Sequence, residues 1–261
     1  MRNKPLRATI AIGNSHCSLA LWKENGSVDE TRQLEISPSA RLPLRRGETV
    51  LICSVVPRKT AKLLSVLKKK GAKAFVFRKD ILPDIDIIPE PPERVGSDRI
   101  AGALGALSLD ASVPWVIADI GTAVTCNAVT PARGSKLPRF EGGLIAPGAA
   151  LSFKALAKGT AQLPEINSDA FGDGQDGFVG TSTEAAMRGG VAIQQLAGLL
   201  AMIEGQRAIL GPETRVALTG GGAQYLKDAL ERSPHRRFEI RYEPLLVHLG
   251  LKAAWSAVQT Q

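Results

Sequence analysis

The sequence predicts an α/β protein with two lobes, on three observations. Segments with strand and helix patterns alternate along all 261 residues, which is typical of α/β folds. Near the start, an apolar strand turns at Gly13–Ser15 and continues into a second strand. The same strand–turn–strand pattern recurs later, with Gly121 and Thr122 at its turn. Two copies of one unit predict two lobes whose matching hairpins grip the phosphates of a ligand.

The first lobe is predicted to cover residues 1–112. Pro57 suits the first turn of a helix, and Gly71 suits its end. Ser97 or Asp98 offers an N-cap for a second helix. The predicted elements are strands at residues 8–13, 17–22, 33–36, 49–54 and 74–77, helices at residues 57–71 and 99–109, and an extended, proline-rich loop at residues 81–94.

The second lobe is predicted to cover residues 113–261, after a linker at residues 111–114. The Ser/Thr/Glu pattern of residues 181–184 is predicted to cap a long apolar helix. Gly220–Gly222 joins a strand to a helix. The predicted elements are strands at residues 116–120, 123–129 and 215–219, and helices at residues 148–157, 183–203, 223–232 and 244–258.

Composition favours a soluble globular protein with anionic ligands. Lys and Arg outnumber Asp and Glu by 33 to 25, which gives a net charge of +8, although the charges are scattered. Aromatic residues make up only 5%, so a base-stacking surface for nucleic acid is not predicted. The three cysteines lack metal-ligand spacing and predict reduced thiols in the cytoplasm. No segment is expected to be long enough to span a membrane.

Asp98 and Arg99 form the strongest candidate for proton chemistry. A carboxylate at a helix N-terminus, beside a guanidinium, can accept a proton from a substrate hydroxyl while Arg99 holds an anionic group. The simpler alternative is that Ser97 or Asp98 is a helix cap. Both interpretations remain open from the sequence.

Three further features are candidates for ligand binding. Gly13–Ser15 can approach phosphate oxygens closely, or it can be an ordinary hairpin turn. Asp119, at the end of a strand, can bind a cation through oxygen or can simply hold turn amides. Gly220 and Gly221 lie in a nucleotide-type turn that lacks the established dinucleotide and P-loop spacings.

In order along the chain, these segments resemble the type III pantothenate kinase family of the acetate kinase/sugar kinase/Hsp70/actin superfamily. The family pattern is Asp-x-Gly-Asn-Thr/Ser, Ser-Val-Val-Pro, Gly-x-Asp-Arg, Asp-x-Gly-Thr, Gly-Gly…Pro-Gly, Gly-x-Asn-Thr and Thr-Gly-Gly. The matching segments here are Gly13-Asn14-Ser15, Ser54-Val55-Val56-Pro57, Gly96-Ser97-Asp98-Arg99, Asp119-Ile120-Gly121-Thr122, Gly142-Gly143…Pro147-Gly148, Gly180-Thr181-Ser182-Thr183 and Thr219-Gly220-Gly221.

The resemblance implies two ribonuclease H-like (actin-like ATPase) lobes with a cleft between them. It implies ATP-dependent phosphorylation of pantothenate to 4'-phosphopantothenate, the first step of coenzyme A biosynthesis. ATP, Mg²⁺ and a monovalent cation, K⁺ or NH₄⁺, are the implied cofactors. A cytoplasmic homodimer with no nucleic-acid or membrane partner is expected.

The resemblance also implies roles for individual residues. Asp98 corresponds to the general base and Asp119 to the potassium ligand. The remaining roles are substrate binding by Gly96, Ser97, Arg99 and Thr183, the last near the dimer interface, and nucleotide binding by Gly13, Asn14, Ser15, Thr122, Gly220 and Gly221.

The chain departs from the family pattern at three positions. Ala11 replaces the first-motif Asp, which helps to hold metal and phosphates. Pro89 stands where a substrate-contacting Tyr is usual, and Ser182 replaces an Asn. Ala11 leaves open the alternative of a weakly active or non-catalytic relative that binds nucleotide or ligand in a regulatory role. A kinase of another small alcohol is a third alternative.

Overall fold

The computed structural model describes residues 5–37, 42–167, 178–233 and 238–260. It contains two compact units. Unit 1 comprises Met1–Ser112, Thr130–Glu141 and Leu245–Gln261, and unit 2 comprises Val113–Val129 and Gly142–Pro244. The division of the sequence into two actin-like lobes, residues 1–112 and residues 113–261, stays a prediction.

The described elements follow an alternating order that confirms the predicted α/β class. The strands are β1 (Leu6–Ile12), β2 (Cys17–Trp22), β3 (Val28–Gln33), β4 (Thr49–Ser54), β5 (Lys73–Val76), β6 (Asp86–Ile87), β7 (Trp115–Ile120), β8 (Ala123–Thr130), β9 (Arg139–Pro147), β10 (Arg215–Thr219) and β11 (Ile240–Tyr242). The helices are α1 (Pro57–Lys70), α2 (Ser97–Leu109), α3 (Ala149–Gly159), α4 (Thr183–Leu210), α5 (Ala223–Arg232) and α6 (Leu246–Thr260), with a 3₁₀ turn at Pro92–Arg94.

Unit 1 is built on a five-stranded sheet in the order β3-β2-β1-β4-β5. Strands β1 and β2 are antiparallel and pair Ala11 with Ser18, whereas β4 lies parallel to β1 on its other side. Alternate residues of β1, such as Ala8, Ile10 and Ile12, belong to an apolar cluster that includes residues of α1. The other face of β1, which carries Thr9 and Ala11, is therefore directed away from that cluster.

Helices α2 and α6 of unit 1 pack closely on each other. Gly250 of α6 makes this possible, because a Cβ there would lie 1.7 Å from the carbonyl oxygen of Ala101. The central part of α2 is buried from Ile100 to Leu107. The buried helix pair fixes the position of the N-terminus of α2, where Asp98 lies.

The second sheet has the order β11-β10-β7-β8-β9-β6. Within unit 2, β10 runs parallel to β7 and pairs Thr219 with Asp119, and β7 and β8 form an antiparallel hairpin. Residues of these strands and of helices α4 and α5 form the unit's main apolar cluster, which includes Leu199 and Ile203 of α4. The first residues of β9 belong to unit 1, where they pair with β6.

The structure corrects several predicted elements. The N-cap of α2 is Gly96, which has no side chain to cap the helix, and Ser97 and Asp98 lie within the first turn. Helix α4 continues past residue 203 to Leu210, since Ile203 and Gln206 still face the interior. Strand β3 lies earlier than predicted, because its polar residues form a mostly exposed edge strand. Strand β9, whose two central glycines weaken the strand pattern, was not predicted.

Helix α4 also corrects the expectation that no segment is long enough to span a membrane. Its 28 residues include an 18-residue window with a mean hydropathy of 1.3, of which 28% is buried. The core helix of a soluble protein meets the same criteria of length and composition. Because Leu199 and Ile203 pack into the core of unit 2, α4 acts as a core helix on that side.

Candidate functional site

The first hairpin turn is held by a lysine from α1. Lys59 Nζ donates to the carbonyl oxygens of Gly13, at 3.3 Å, and of Asn14, at 2.7 Å. Gly13 N donates to His16 O at 2.9 Å, which closes the turn. Because trans peptides are planar, the N–H groups of Asn14 and Ser15 point away from the side that Lys59 occupies. Lys59 thus fixes the orientation of two peptides in an exposed turn.

Ala11, the residue that replaces the family aspartate, lies one residue pair behind this turn. It pairs with Ser18 and is half-buried. Its methyl group offers no ligand to a metal. Among the described residues, no three or more His, Cys, Asp or Glu side chains converge on one point. The hairpin of unit 1 therefore does not fit a divalent cation.

Asp98 lies in the first turn of α2 with one oxygen committed to the backbone. Its Oδ1 accepts the Arg99 amide at 2.8 Å. Burial raises the pKa of the Asp98 carboxyl above its usual value, although that hydrogen bond and the Arg99 charge oppose the rise. Burial, followed by the negative charge of Asp98, raises the pKa of the Cys53 thiol well above its ordinary value. A carboxylate whose pKa is raised is a stronger base near neutral pH.

Arg99 is held on the aromatic ring of a buried residue of unit 1. Its guanidinium carbon lies 5.3 Å from the centroid of the Phe140 ring, within the range of a cation–π contact. Burial lowers the pKa of Arg99, but a guanidinium remains charged at neutral pH. Asp98 and Arg99 therefore place a base and a cation side by side at the start of α2.

A second arginine holds the segment that leads into α2. Arg78 donates from Nη2 to Pro92 O at 2.7 Å and from Nη1 to Val95 O. Arg78 itself has a φ of 64°, in the left-handed region that is uncommon for a residue with a Cβ. Such a conformation is retained only where surrounding contacts require it. The contacts of Arg78 to Pro92 and Val95 hold the segment that leads to Gly96.

Asp119 of unit 2 lies at the end of β7 beside the glycine turn that follows β10. A Cβ on Gly220 would lie 2.3 Å from Asp119 Oδ1 and 2.5 Å from the carbonyl oxygen of Ile120. Two oxygen atoms thus approach the same point, where Gly220 has a φ of +95°. Carboxylate and carbonyl oxygens are the ligands that a hard cation prefers, and the same point also lies 2.7 Å from the amide nitrogen of Ile120.

The other predicted residues of unit 2 form two groups. Thr122 O accepts the Gly148 amide at 3.1 Å, and Gly222 N donates to Ile120 O at 2.9 Å. These bonds join the turn after β7 to the start of α3 and to the turn after β10, and Gly221 lies in that second turn. Thr183 is the first residue of α4 and is exposed, next to Ser182, whose side chain caps the helix.

Lys59 was not among the candidates identified from the sequence, although a signal for it exists. Arg58 and Lys59 lie in the first turn of α1, which has no acidic residue. Cations are unfavourable at a helix N-terminus because of the helix dipole. A local rule broken in this way often marks a functional residue. Arg78 and Phe140 gave no comparable signal, because only tertiary contacts give them their roles.

Solved structures with the same fold cover nearly the whole chain. A Campylobacter jejuni protein described as a conserved member of the Baf family of transcriptional activators matches with a TM-score of 0.59 and 20% identity, over 97% of this chain and 100% of that one. The ethanolamine utilization protein EutJ from Carboxydothermus hydrogenoformans matches with a TM-score of 0.53 and 11% identity, over 97% and 91%. The chain therefore has the α/β fold of the actin-like ATPases and sugar kinases.

Sequence relatives identify the family within this fold. The family model for type III pantothenate kinase matches residues 9–207. The type III pantothenate kinase of Caulobacter vibrioides is 34% identical over 78% of this chain and 76% of its own length. That of Synechococcus elongatus is 32% identical over 97% of this chain and 98% of its own length. The chain belongs to the type III pantothenate kinase family.

Proposed function

We propose that this chain transfers the γ-phosphoryl group of ATP to the hydroxyl group of pantothenate, which gives 4'-phosphopantothenate and begins coenzyme A biosynthesis. The observation that carries the proposal is the pair at the start of α2 in a member of this family. Asp98 is a half-buried carboxylate with a raised pKa, and Arg99 is held beside it on Phe140. Catalysis of phosphoryl transfer depends mainly on positioning and on electrostatics, and this pair supplies both to a hydroxyl substrate.

The residues at the start of α2 divide the work on pantothenate. Asp98 accepts the proton of the attacking hydroxyl, and Arg99 binds the pantothenate carboxylate. Gly96 and Ser97 bring backbone and hydroxyl groups close to the substrate, and Thr183 supplies a further contact. Arg78 acts indirectly, because it fixes the segment before Gly96.

Nucleotide binding is assigned to the two hairpin turns and to the glycine turn after β10. In unit 1 the turn at Gly13–Ser15 donates to phosphate oxygens through the amides of Asn14 and Ser15, whose peptides Lys59 holds in place. In unit 2 the corresponding contacts come from Thr122, Gly220 and Gly221. Backbone amides at such turns are common donors to phosphate.

The proposed cation site is Asp119. Its carboxylate and the carbonyl oxygen of Ile120 lie close together at Gly220. A potassium or ammonium ion held there would supply positive charge to the nucleotide site. ATP-dependent kinases of this family typically also use a divalent metal. Because Ala11 provides no carboxylate, no step is assigned to a divalent metal on the hairpin of unit 1.

A coupled assay with pantothenate, ATP, magnesium and potassium tests the proposed activity. Asp98→Asn keeps the shape of the side chain but removes the base, so kcat should fall about 10²- to 10⁴-fold. Asp228→Asn, at an exposed position of α5, is the matched control and should leave kcat unchanged. Equal activity in Asp98→Asn and the wild type would reject the assigned mechanism.

The regulatory alternative makes a different prediction for the same preparations. If the alternative is right, calorimetry should detect binding of nucleotide or pantothenate to the wild type, and the coupled assay should detect no turnover. Ala11→Asp separates a weakened kinase from a binding protein, because a restored carboxylate should raise kcat only where the remaining machinery is functional. No described feature other than Ala11 favours the regulatory alternative.

We also propose that the active form is a cytoplasmic homodimer that associates through unit 2. Exposed apolar side chains occur on β9, α3 and α4, among them Ile145, which is 64% exposed, and Leu144, which is 50% exposed. Exposed apolar side chains that form a contiguous patch are typical of protein interfaces. The buried, free cysteines Cys17, Cys53 and Cys126 agree with a reducing compartment.

Sedimentation velocity at micromolar concentration tests the homodimer. The wild type should sediment as a dimer, and Ile145→Lys should shift it to a monomer, because a charge would be buried in the interface. Leu82→Lys changes a side chain of unit 1 that is 71% exposed, and it should leave the dimer intact. A wild type that sediments as a monomer would contradict the proposal.

A further inference from the structure

A buried hydrogen-bonded chain in unit 1 ends at the first hairpin, behind the proposed phosphate site. Trp22 Nε1 donates to Thr9 Oγ1 at 3.1 Å. Thr9 Oγ1 lies 2.8 Å from His248 Nδ1, and His248 Nε2 lies 2.9 Å from Ser18 Oγ. His248 comes from α6, whereas the other three residues come from β1 and β2.

The donors and acceptors of this chain have one favourable arrangement. Trp22 Nε1 can only donate, so Thr9 Oγ1 accepts there and keeps its own hydrogen for another partner. Thr9 is fully buried, and His248 Nδ1 is the other partner of its hydroxyl. The Thr9 hydroxyl therefore donates to Nδ1, which leaves Nε2 of a neutral His248 as the nitrogen that carries the proton.

The opposite arrangement would leave the buried Thr9 hydrogen without an acceptor. If Nδ1 carried the proton, Thr9 Oγ1 would accept twice and its hydroxyl hydrogen would have nowhere to go among the described residues. A buried donor without a partner is more costly than a half-exposed one, which water can satisfy. Ser18 is half-buried, so water can accept the one hydroxyl hydrogen that this series of hydrogen bonds leaves over, if that hydrogen is on Ser18.

This direction gives Ser18 a defined role. Its oxygen accepts the hydrogen of His248 Nε2, so its own hydrogen is available to donate. Ser18 is directly opposite Ala11 in the hairpin, next to the turn whose amides Lys59 orients. Ala11 carries only a methyl group, and Ser18 is half-buried, so part of its surface is open to solvent.

We propose that the Ser18 hydroxyl donates a hydrogen bond to a phosphate oxygen of the nucleotide, and that Trp22, Thr9 and His248 orient it in advance. The proposal rests on the proposed function, because it deepens the description of the nucleotide site. Ser18 is a ligand-binding residue, and Thr9 and His248 are positioning residues. In this chain a neutral donor thus stands across the hairpin from the position where the family carries a carboxylate.

The first test is the imidazole ¹⁵N spectrum of the full-length protein without ligand. His248, assigned by comparison with His248→Gln, should show a protonated Nε2 and an unprotonated, hydrogen-bonded Nδ1 at pH 7. Thr9→Val keeps the side-chain shape but removes the donor to Nδ1, so its spectrum should shift towards the other tautomer. A protonated Nδ1 in the wild type would overturn the inferred direction of the hydrogen bonds from Trp22 to Ser18.

The second test is calorimetric affinity for a non-hydrolysable ATP analogue. Ser18→Ala should bind it roughly tenfold more weakly, as expected for one hydrogen bond to a charged acceptor. Ser18→Thr retains the hydroxyl and should restore most of the affinity. Ser27→Ala, which changes an exposed serine in the turn at the other end of β2, is the matched control and should bind as the wild type does.

The two tests separate the failure of this inference from the failure of the proposed function. Equal affinities of Ser18→Ala and the wild type would overturn the phosphate contact while leaving the kinase assignment standing. A wild type that binds no nucleotide would overturn the proposed function together with the phosphate contact. The imidazole spectrum would still decide the orientation of the chain, since it requires no ligand.

Discussion

The two hairpins of this protein share a strand pattern but are supported by different chemistry. In unit 1, Lys59 binds the carbonyls of the turn, and an ionisable side chain, His248, lies behind the strands. In unit 2, Asp119 lies at the end of β7 and is close to Gly220 in the glycine turn. Positive charge and neutral donors thus dominate the first hairpin, whereas oxygen atoms dominate the second.

The support behind each hairpin differs in the same way. Gln206 of α4 donates from Nε2 to the carbonyl oxygen of Cys126 in β8 at 2.7 Å, and neither group titrates near neutral pH. His248 fills the corresponding role for β1 and β2, but it can gain a proton. Under the proposed function, the first hairpin contacts the nucleotide directly through backbone amides, whereas the second does so through the proposed cation at Asp119.

Gly220→Ala is expected to have the largest effect, and it tests the geometry of the second hairpin. A Cβ would meet backbone atoms of Ile120 as well as Asp119 Oδ1, at a φ that alanine rarely adopts. Unfolding in urea should show a loss of about 3 kcal/mol. Gly221→Ala is the matched control for stability, because nothing lies within 4 Å of a Cβ there, and it should cost less than about 1 kcal/mol. Equal losses in the two variants would contradict the described turn.

The features that the sequence predicted well are those encoded within one short segment. Gly71 ends α1 in the left-handed conformation, Ser182 caps α4, and α5 follows the glycine turn at the predicted residues. Each depends on a local backbone preference that a few neighbouring residues determine. Helix α4 was predicted too short because its end is set by packing and by Gly211, not by the apolar pattern.

The features that the sequence did not predict join distant segments. Lys59 contacts a turn 45 residues earlier in the chain, and His248 contacts Thr9 across 239 residues. No periodicity connects such pairs, because their contacts exist only after the helices pack on the sheet. The position of Asp98 at the start of α2 was predicted, but its burial, and therefore the rise of its pKa, required the structure.

The second prediction concerns acid and distinguishes the two hairpins by their supports. Burial lowers the pKa of His248 from its usual 6.5 to about 4. Between these values the unfolded chain binds a proton that the native chain does not, so the unfolding free energy falls as the pH falls. The full loss, reached below pH 4, should be about 3 kcal/mol. Above pH 6.5 this loss of unfolding free energy should be absent.

The measurement is the difference between the wild type and His248→Gln in urea unfolding from pH 7.5 to pH 4. The raised pKa of Asp98 acts in the opposite direction but is common to both proteins, so it cancels in the difference. Hydrogen exchange, corrected for the intrinsic rates, should show that the opening of β1 and β2 becomes faster from pH 7 to pH 5. The opening of β7 and β8 should change less over the same range. A difference curve that is independent of pH would contradict the burial of a neutral His248.

Lys59→Met is expected to have the smallest effect, and it tests whether a lysine orients the first hairpin turn. The thioether chain keeps most of the packing but removes the donor to Gly13 O and Asn14 O. The two peptides should then lose their fixed direction, and the KM for ATP should rise about fivefold to tenfold, since the loss of one hydrogen bond from a turn amide to the nucleotide costs about 1–1.4 kcal/mol. Lys62→Met, on an exposed position of the same helix, removes the same charge from α1 without a contact to the turn, so it controls for the loss of general positive charge.

Because the orienting role exists before nucleotide binds, the amide resonances of Asn14 and Ser15 should also shift in ligand-free Lys59→Met but not in Lys62→Met. A rise in KM without such a shift would mean that Lys59 contacts the nucleotide itself and does not orient the turn.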